Sequence, residues 1–346
     1  MRDRRVWALA GLQAAVTLSW MAYAYHQPRL LTHFGFETLA GILGWYLALA
    51  GTTLAPLAGD ASDRLVRGGG DRFPVVRAGV ALAAASFVAV ALTARAGADS
   101  PVRFVLPLFV GIWIAGMTVF QAPALAIVRD GAGPRELPSA MLPIVLATTI
   151  PMALWPWLEP VLERVGGSVT FLAGGIAVVG TAFALGTTVV VGDRAPDGVP
   201  DAPSPTRAFA CGLASALVVL LATELVPATL AARARLGTST LAALTMMVAS
   251  AAAPIAARLG GALGSGRALV VGLGVTALAR IAALPAGGPS TALAVAVLAG
   301  LGLGLHLATA LPFALSRASS GRAGLATGLY VGGAMLGSRV IHALGA

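Results

Sequence analysis

The chain of 346 residues is 58% hydrophobic and only 11% charged, and its mean hydropathy is +0.86. Soluble domains carry about 25% charged residues, so this composition excludes an ordinary soluble protein. The net charge of +9 comes from 23 basic residues, all of them arginine, in short segments between apolar runs. Arginines placed in this way set membrane topology, and the charge therefore does not indicate a nucleic-acid partner.

Apolar runs of about 20 residues recur along the whole chain, and each is long enough to cross a bilayer as a helix. Lipid offers backbone groups no hydrogen-bond partner, which favours helices over open strands. The first run lacks a small-residue cleavage site, so we interpret it as a retained helix and not as a signal peptide. We predict an all-α membrane protein with about eleven (10–12) transmembrane helices, at residues 6–26, 38–58, 74–95, 103–125, 138–160, 167–191, 208–231, 238–257, 268–285, 290–312 and 323–342.

One segment, 193–207, breaks the apolar pattern with proline and aspartate and is typical of a flexible linker. It divides the chain into an N-terminal six-helix bundle, 1–192, and a C-terminal bundle of about five helices, 208–346. The loops after the second span of each half are both rich in glycine and arginine. This similarity indicates two pseudo-repeated halves, the usual architecture of secondary transporters. Whether a twelfth helix is missing stays open.

The distribution of arginine predicts the orientation. With the N-terminus in the cytoplasm, fifteen arginines lie on the cytoplasmic side and eight on the other side. Cytoplasmic loops carry the excess of basic residues, so we expect a multi-pass protein of a bacterial inner (plasma) membrane with a cytoplasmic N-terminus. The single cysteine, Cys211, excludes a disulfide within the chain, and the sequence predicts no metal site and no cofactor.

The most densely charged part of the chain is the segment 56–74, which lies between two apolar spans. Charge so close to hydrocarbon is costly unless it is paired or solvated, which makes this segment a candidate moving part. The alternative is that these charges only fix the topology. The first part of the segment holds Gly59, Asp63 and Arg64 at fixed spacing, and its tail holds three glycines and Arg72.

With these residues the chain resembles the major facilitator superfamily, whose loop between helices 2 and 3 carries Gly-x-x-x-Asp-Arg and a basic tail. The longer pattern of its sucrose and glycoside-type branch is matched at Pro56, Gly59, Ser62, Asp63, Arg64, Gly70, Arg72 and Pro74. The resemblance implies an alternating-access permease with a conformational switch in this motif. In that switch Asp63 contacts the start of helix 11, Gly59 allows close helix approach, and Arg64 completes the charge network. Arg72 is the fourth residue assigned to the switch motif.

Two ionisable residues inside the spans are candidates for proton coupling. Glu224 lies well inside span 7, and a carboxylate in low dielectric takes up a proton more readily than one in water. The alternative is that Glu224 lies near the outer end and faces water or Arg233. His306 lies in the middle of span 10, where it is either a proton carrier or a packed hydrogen-bonding residue.

Polar and aromatic residues on spans 1 and 4 are candidates for a substrate cavity. Amides and hydroxyls beside aromatic rings suit a polar organic ligand. An interfacial belt is the alternative for the tryptophan of span 1, and interhelical hydrogen bonding is the alternative for span 4. The candidates are Gln13, Thr17, Trp20, Trp113, Thr118 and Gln121.

Together these features predict a non-enzymatic secondary transporter that moves a small polar organic solute, sugar-like as a working hypothesis, with protons as the coupling ion. We expect a monomer in the lipid bilayer. A chain without lysine cannot hold a P-loop, which argues against ATP-driven pumping. Three alternatives stay open: a drug or metabolite efflux pump, a non-transporting sensor or assembly factor of the same fold, and a Mg²⁺-dependent transferase that uses Asp60 and Asp63.

Overall fold

The computed structural model describes residues 2–96, 99–188 and 204–344, and all regular structure within these ranges is helical. Residues 193–203 of the predicted linker lie outside them. The helices are α1 (Arg2–His33), α2 (Leu39–Arg67), α3 (Phe73–Thr93), α4 (Leu106–Gly131), α5 (Leu137–Ala153), α6 (Trp155–Val165), α7 (Gly167–Gly186), α8 (Pro205–Leu220), α9 (Val226–Ala234), α10 (Thr238–Leu263), α11 (Ser265–Ala283), α12 (Pro289–Leu315) and α13 (Ala323–Ala343). A π turn, Leu221–Leu225, joins α8 to α9.

Nine of the described helical segments are long and apolar enough to cross a membrane, and ten if α5 and α6 form one broken span. The chain is therefore a multi-pass membrane protein. α5 and α6 meet at a bend of 68°. Pro156, in the first turn of α6, has no N–H to donate to the Met152 carbonyl and its ring crowds that carbonyl, which explains the break. α13 occupies the last predicted span but is not among the nine, so the structure does not confirm the count of eleven.

The predicted polar loop 56–74 is largely helical, which corrects the sequence interpretation. α2 continues nine residues beyond the predicted end of its span, so the charged residues up to Arg67 lie on its final turns. The loop proper is short, and it begins where Gly69 adopts a φ of +86° that favours glycine. Pro74 then lies in the first turn of α3, where its missing N–H costs no hydrogen bond.

The packing order of the helices recurs in the two halves. In the first half α4 packs against α2 and α3, and α1 packs against α5. In the second half α12 packs against α10 and α11 in the same way, and α8 packs against α13. Two equivalent seams, α2 on α13 and α10 on α5, then join the halves. The second seam includes a hydrogen bond of 2.8 Å from the Ser250 hydroxyl to the Thr149 hydroxyl.

Glycines bring α2 and α13 into backbone contact along the first seam. Gly324, Gly328 and Gly332 recur at four-residue spacing on α13 and lie against α2. A Cβ atom at Gly328 would lie 2.6 Å from the Cα atom of Pro56, and one at Gly332 would lie 2.7 Å from the Gly51 carbonyl oxygen. Small residues at such positions allow close helix approach in membranes, so this seam depends on having no side chain there.

Candidate transport pathway

Asp63 joins the two halves at the end of the bundle where α1 begins and α2 and α4 end, here called the arginine-rich end. Its Oδ1 atom accepts a hydrogen bond of 2.9 Å from the Gly324 amide, and its Oδ2 atom accepts one of 2.8 Å from the Leu325 amide. Both amides belong to the first turn of α13, where N–H groups lack helical partners and the helix dipole favours an anion. The carboxylate, which is 0% exposed, therefore caps α13 from the opposite half.

Arg72 supplies the positive charge that this buried carboxylate needs. Its Nη1 atom donates to Asp63 and also to the Ser62 hydroxyl at 3.0 Å. Its Nε and Nη2 atoms donate to the two carboxylate oxygens of Asp130, on α4, at 2.9 and 3.2 Å. Burial by itself would lower the pKa of Arg72, but the charges of Asp130 and Asp63 outweigh burial and raise that pKa above its ordinary value. The guanidinium therefore stays charged and links α2, α3 and α4.

Arg64 lies outside this buried network, contrary to the role that the resemblance implies for it. Its side chain is 74% exposed and pairs with Asp60, one turn earlier on α2, at 2.7 Å. Asp130 takes its place in the network, and the sequence analysis did not find this residue. The one available signal was the position of Asp130 at the end of span 4, at the same end of the bundle as Arg72. Gly59 does lie directly against the Gly324 backbone, the close approach that the resemblance implies.

Two more arginines bind the segment between α12 and α13 from the first half. The buried Arg129 donates from Nε to the Ala318 carbonyl at 3.0 Å. Arg67 donates from Nη1 to the Gly321 carbonyl at 2.7 Å. Together with Asp63, these bonds hold the halves together at the arginine-rich end.

A cavity of about 240 Å³ lies between the two halves. Of the predicted cavity residues it includes Gln13 and Gln121. The amide nitrogen of Gln13 donates to the Thr148 hydroxyl at 3.3 Å, whereas the buried Oε1 atom of Gln121 has no hydrogen-bond partner. The cavity is lined by Gln13, Gln121, Leu125, Met141, Ile144, Val145, Thr148, Leu307, Leu311, Pro312, Tyr330, Val331, Ala334 and Met335.

A second cavity, of about 320 Å³, continues from the first toward the other end of the bundle, and we call it the vestibule. Ala334 and Met335 line both cavities, so the two adjoin each other and together make a candidate path. The vestibule is lined by Gly44, Leu47, Ala334, Met335, Ser338, Arg339 and His342. The path therefore leads away from the closed arginine-rich end.

The other four predicted cavity residues do not line this cavity. The Thr17 and Thr118 hydroxyls donate to carbonyls one turn earlier in their own helices, at 2.9 and 2.7 Å. The rings of Trp20 and Trp113 pack within the first half against Tyr23, with centroids 4.7–5.7 Å apart. Large rings gain more from such packing than from facing a wet cavity, which explains their position.

The two candidates for proton coupling lie in different surroundings. Glu224 lies on the π turn, half exposed, with His342 and not Arg233 as its ion-pair partner, at 3.1 Å between Oε2 and Nε2. His306 is fully buried, and its Nε2 atom lies 2.9 Å from the Ser215 hydroxyl. Ser215 also accepts a hydrogen bond of 3.1 Å from Tyr330, which connects His306 to the cavity lining. The partners of Glu224 and His306 could not be predicted from the sequence, since no spacing rule links residues about a hundred positions apart.

No metal site follows from the acidic residues of the motif. Among the residues that the structure describes, no group of three or more His, Cys, Asp or Glu side chains is arranged to hold a metal ion. Asp60 bonds to Arg64, and Asp63 is occupied by the α13 amides and Arg72. The aspartates at 193, 197 and 201, which the transferase alternative would need, lie outside the described residues.

Two solved structures of transporters superpose on this chain. The human organic anion transporter MFSD10 (TETRAN) superposes with a TM-score of 0.72 at 16% identity, over 98% of this chain and 91% of that chain. A bacterial homologue of the iron transporter ferroportin, in an outward-facing state, superposes with a TM-score of 0.70 at 16% identity, over 99% and 91% of the two chains. The chain has the fold of these transporters. The predicted major-facilitator-like bundle is thus confirmed as a fold, while no family model and no curated protein matches the sequence.

Proposed function

We propose that this chain is a secondary active transporter that moves a small, uncharged organic solute by alternating access. The observation that carries the proposal is the path between the halves. Its central cavity has no charged side chain in its lining, it continues into the vestibule, and it is closed by the Asp63 network at the other end. A central site that opens to one side at a time is the working principle of such transporters.

The lining of the central cavity favours a neutral solute with both polar and apolar parts. Gln13, Gln121, Thr148 and Tyr330 offer amide and hydroxyl groups, and the rest of the lining is apolar. A charged solute would be left without a partner there, at a large desolvation cost. The volume lies slightly below the ~300–1,000 Å³ usual for ligand pockets, so the solute is small. A sugar-like solute fits the polar groups, and a small drug or metabolite leaving the cell fits the apolar ones.

The orientation and the energy source belong to the same proposal. The excess of arginine supports an orientation with the arginine-rich end on the cytoplasmic side of a bacterial inner membrane. The path then opens outward, in agreement with the state of the ferroportin homologue that shares the fold. Protons are the proposed coupling ion, because ionisable side chains on α12, α13 and the π turn adjoin the path.

The test is a thermal-stability screen of the purified protein against neutral sugars, glycosides, small neutral drugs, organic anions and organic cations. A ligand that binds only the folded state raises the apparent Tm. We expect hits among neutral compounds, and we expect the hit to accumulate in proteoliposomes when a pH gradient is applied. Hits confined to ions would overturn the substrate class.

Gln121→Leu tests the cavity itself. The substitution keeps the size of the side chain and removes one hydrogen bond worth about 0.5–1.5 kcal/mol, so Kd for the hit should rise about 2–10-fold. Gln27→Leu is the matched control, because Gln27 does not line the central cavity. An equal loss of affinity in both variants would show that the solute binds elsewhere.

A further inference from the structure

The contact between Glu224 and His342 joins α13 to the π turn at the vestibule end of the bundle. His342 lies on the last turn of α13 and lines the vestibule. Glu224 lies on the π turn between α8 and α9, and π turns inside helices are frequent at functional sites. The His342 and Glu224 side chains are 40% and 49% exposed, so neither is sealed inside the protein.

The hydrogen-bond geometry of His342 fixes where its protons are. The Nδ1 atom lies 2.7 Å from the Ser338 carbonyl oxygen. A carbonyl only accepts hydrogen bonds, so Nδ1 carries a hydrogen. The neutral imidazole then has a lone pair on Nε2, which lies 3.1 Å from the Glu224 carboxylate. That lone pair and an ionised carboxylate repel each other.

One additional proton turns this repulsion into a bond. The proton sits either on Nε2, giving an imidazolium beside a carboxylate, or on Glu224, giving a carboxylic acid beside a neutral imidazole. Both arrangements make the observed contact, and the arrangement without the proton does not. The contact therefore exists only while the pair holds one proton that it exchanges with water.

We propose that Glu224 and His342 form the proton-binding site of this protein, which takes one proton from the vestibule and pins α13 to the π turn while the proton is bound. Release of the proton returns it to vestibule water and frees the two segments from each other. Its use in coupled transport rests on the proposed function, whereas the binding of the proton does not.

Among the described residues, Glu224 and His342 form an ion pair with each other and with no other charged side chain. Arg339 donates to the Gly41 carbonyl at 3.3 Å and lies over the Trp45 ring. Arg280, on α11, donates to the Thr229 hydroxyl at 3.1 Å. α10 and α12 carry no ionisable side chain in the halves that lie toward this end. The ionisable groups at this end of the neighbouring elements are Tyr46, Arg233, Arg235, Arg280 and Arg339.

The experiment measures the distance between α9 and α13 as a function of pH. Spin labels are attached to cysteines introduced by Ala232→Cys and Val340→Cys, at two exposed positions, in the full chain with Cys211→Ser. Distance distributions are recorded in proteoliposomes from pH 5 to pH 9. We expect a narrow, short-distance population at low pH, which gives way to a broader and longer one as the pH rises and the proton is lost.

Glu224→Gln and His342→Gln should each abolish this pH dependence, because neither variant can hold the shared proton. His33→Gln and Glu37→Gln, at exposed positions of the same end, are the matched controls and should keep it. A wild-type distance that does not change with pH, or the same pH response in Glu224→Gln as in wild type, would overturn the proposal. A pH-dependent distance in a protein that accumulates no solute would leave the proton site standing and refute transport, so the two failures are distinguishable.

Discussion

Arg72 is the residue on which the closed end of the bundle depends. The carboxylates of Asp63, which is fully buried, and of Asp130, which is partly buried, share one guanidinium. The remaining negative charge faces the amides at the start of α13. A buried charge that loses its partner is far more costly than an exposed one. Arg64, of the same type and one helix away, has its partner at the surface, where an ion pair contributes little.

This difference predicts unequal effects of two otherwise identical substitutions. Arg72→Met should lower the free energy of unfolding by about 3–5 kcal/mol, because it removes the positive charge that pairs with the buried Asp63 carboxylate and with Asp130. Arg64→Met should leave stability unchanged within error. Denaturant titration of the two variants in detergent, followed by tryptophan fluorescence, measures both. Equal losses would mean that the buried network does not carry the stability of this end.

At the scale of elements, the seam between α2 and α13 is built from backbone rather than from side chains. Gly324, Gly328 and Gly332 leave no space for a methyl group, since at each of them the nearest atom is a backbone oxygen of α2. A helix backbone cannot move one atom out of the way, so a single Cβ must shift the whole helix. The two helices can therefore pack closely only in the register in which the glycines of α13 face the α2 backbone.

Gly328→Ala should therefore lower the Tm, although alanine is the better helix former by about 0.5–1 kcal/mol. Gly180→Ala on α7 is the control, because a Cβ atom there meets nothing within 4 Å. That variant should keep or raise the Tm. If both alanines stabilised the protein, the seam would be looser than the contacts indicate.

At the scale of the whole molecule, the closed arginine-rich end and the open vestibule correspond to one of the two states that the proposed alternating access requires. Asp63 holds that state because its ionised carboxylate accepts two hydrogen bonds from the α13 amides, each worth about 1.5–3 kcal/mol. Removing them shifts the population toward the opposite state by the difference in free energy. Since 1.4 kcal/mol is a factor of ten, the shift is large enough to measure.

Asp63→Asn should raise access to the cavity from the arginine-rich end at least about tenfold, because the loss of the charged acceptor weakens the closed state by more than 1.4 kcal/mol. The measurement is the rate at which a membrane-impermeant thiol reagent labels Leu125→Cys, at a lining position, in the Cys211→Ser background. Asp60→Asn, which changes an exposed carboxylate of the same helix, should leave the rate unchanged. A rate that is insensitive to Asp63→Asn would contradict the clamp.

The sequence predicted what depends on local pattern and missed what depends on packing. Hydropathy located a helix at each predicted span, because burial in lipid depends on composition alone. The predicted end of span 2 lies too early in the chain. Asp63 and its neighbours are polar, as loop residues are, and they become buried only because α13 packs over them. The same limit hid Asp130 and His342, which acquire their roles from residues far away in the chain. Gln13 and Gln121 could be predicted as cavity residues, because a polar amide within an apolar span avoids lipid and faces the interior of the bundle.

The two seams between the halves are equivalent in architecture and unequal in chemistry. One is closed by ionised groups and glycine backbone, and the other includes the hydroxyl pair of Ser250 and Thr149. Hydroxyls both donate and accept hydrogen bonds, so they can exchange partners as helices tilt. A buried carboxylate that loses its partners is left as an uncompensated charge, which is costly. We therefore expect the two halves to separate asymmetrically. The helices α2 and α13 should move apart, while α5 and α10 stay in contact and act as the hinge.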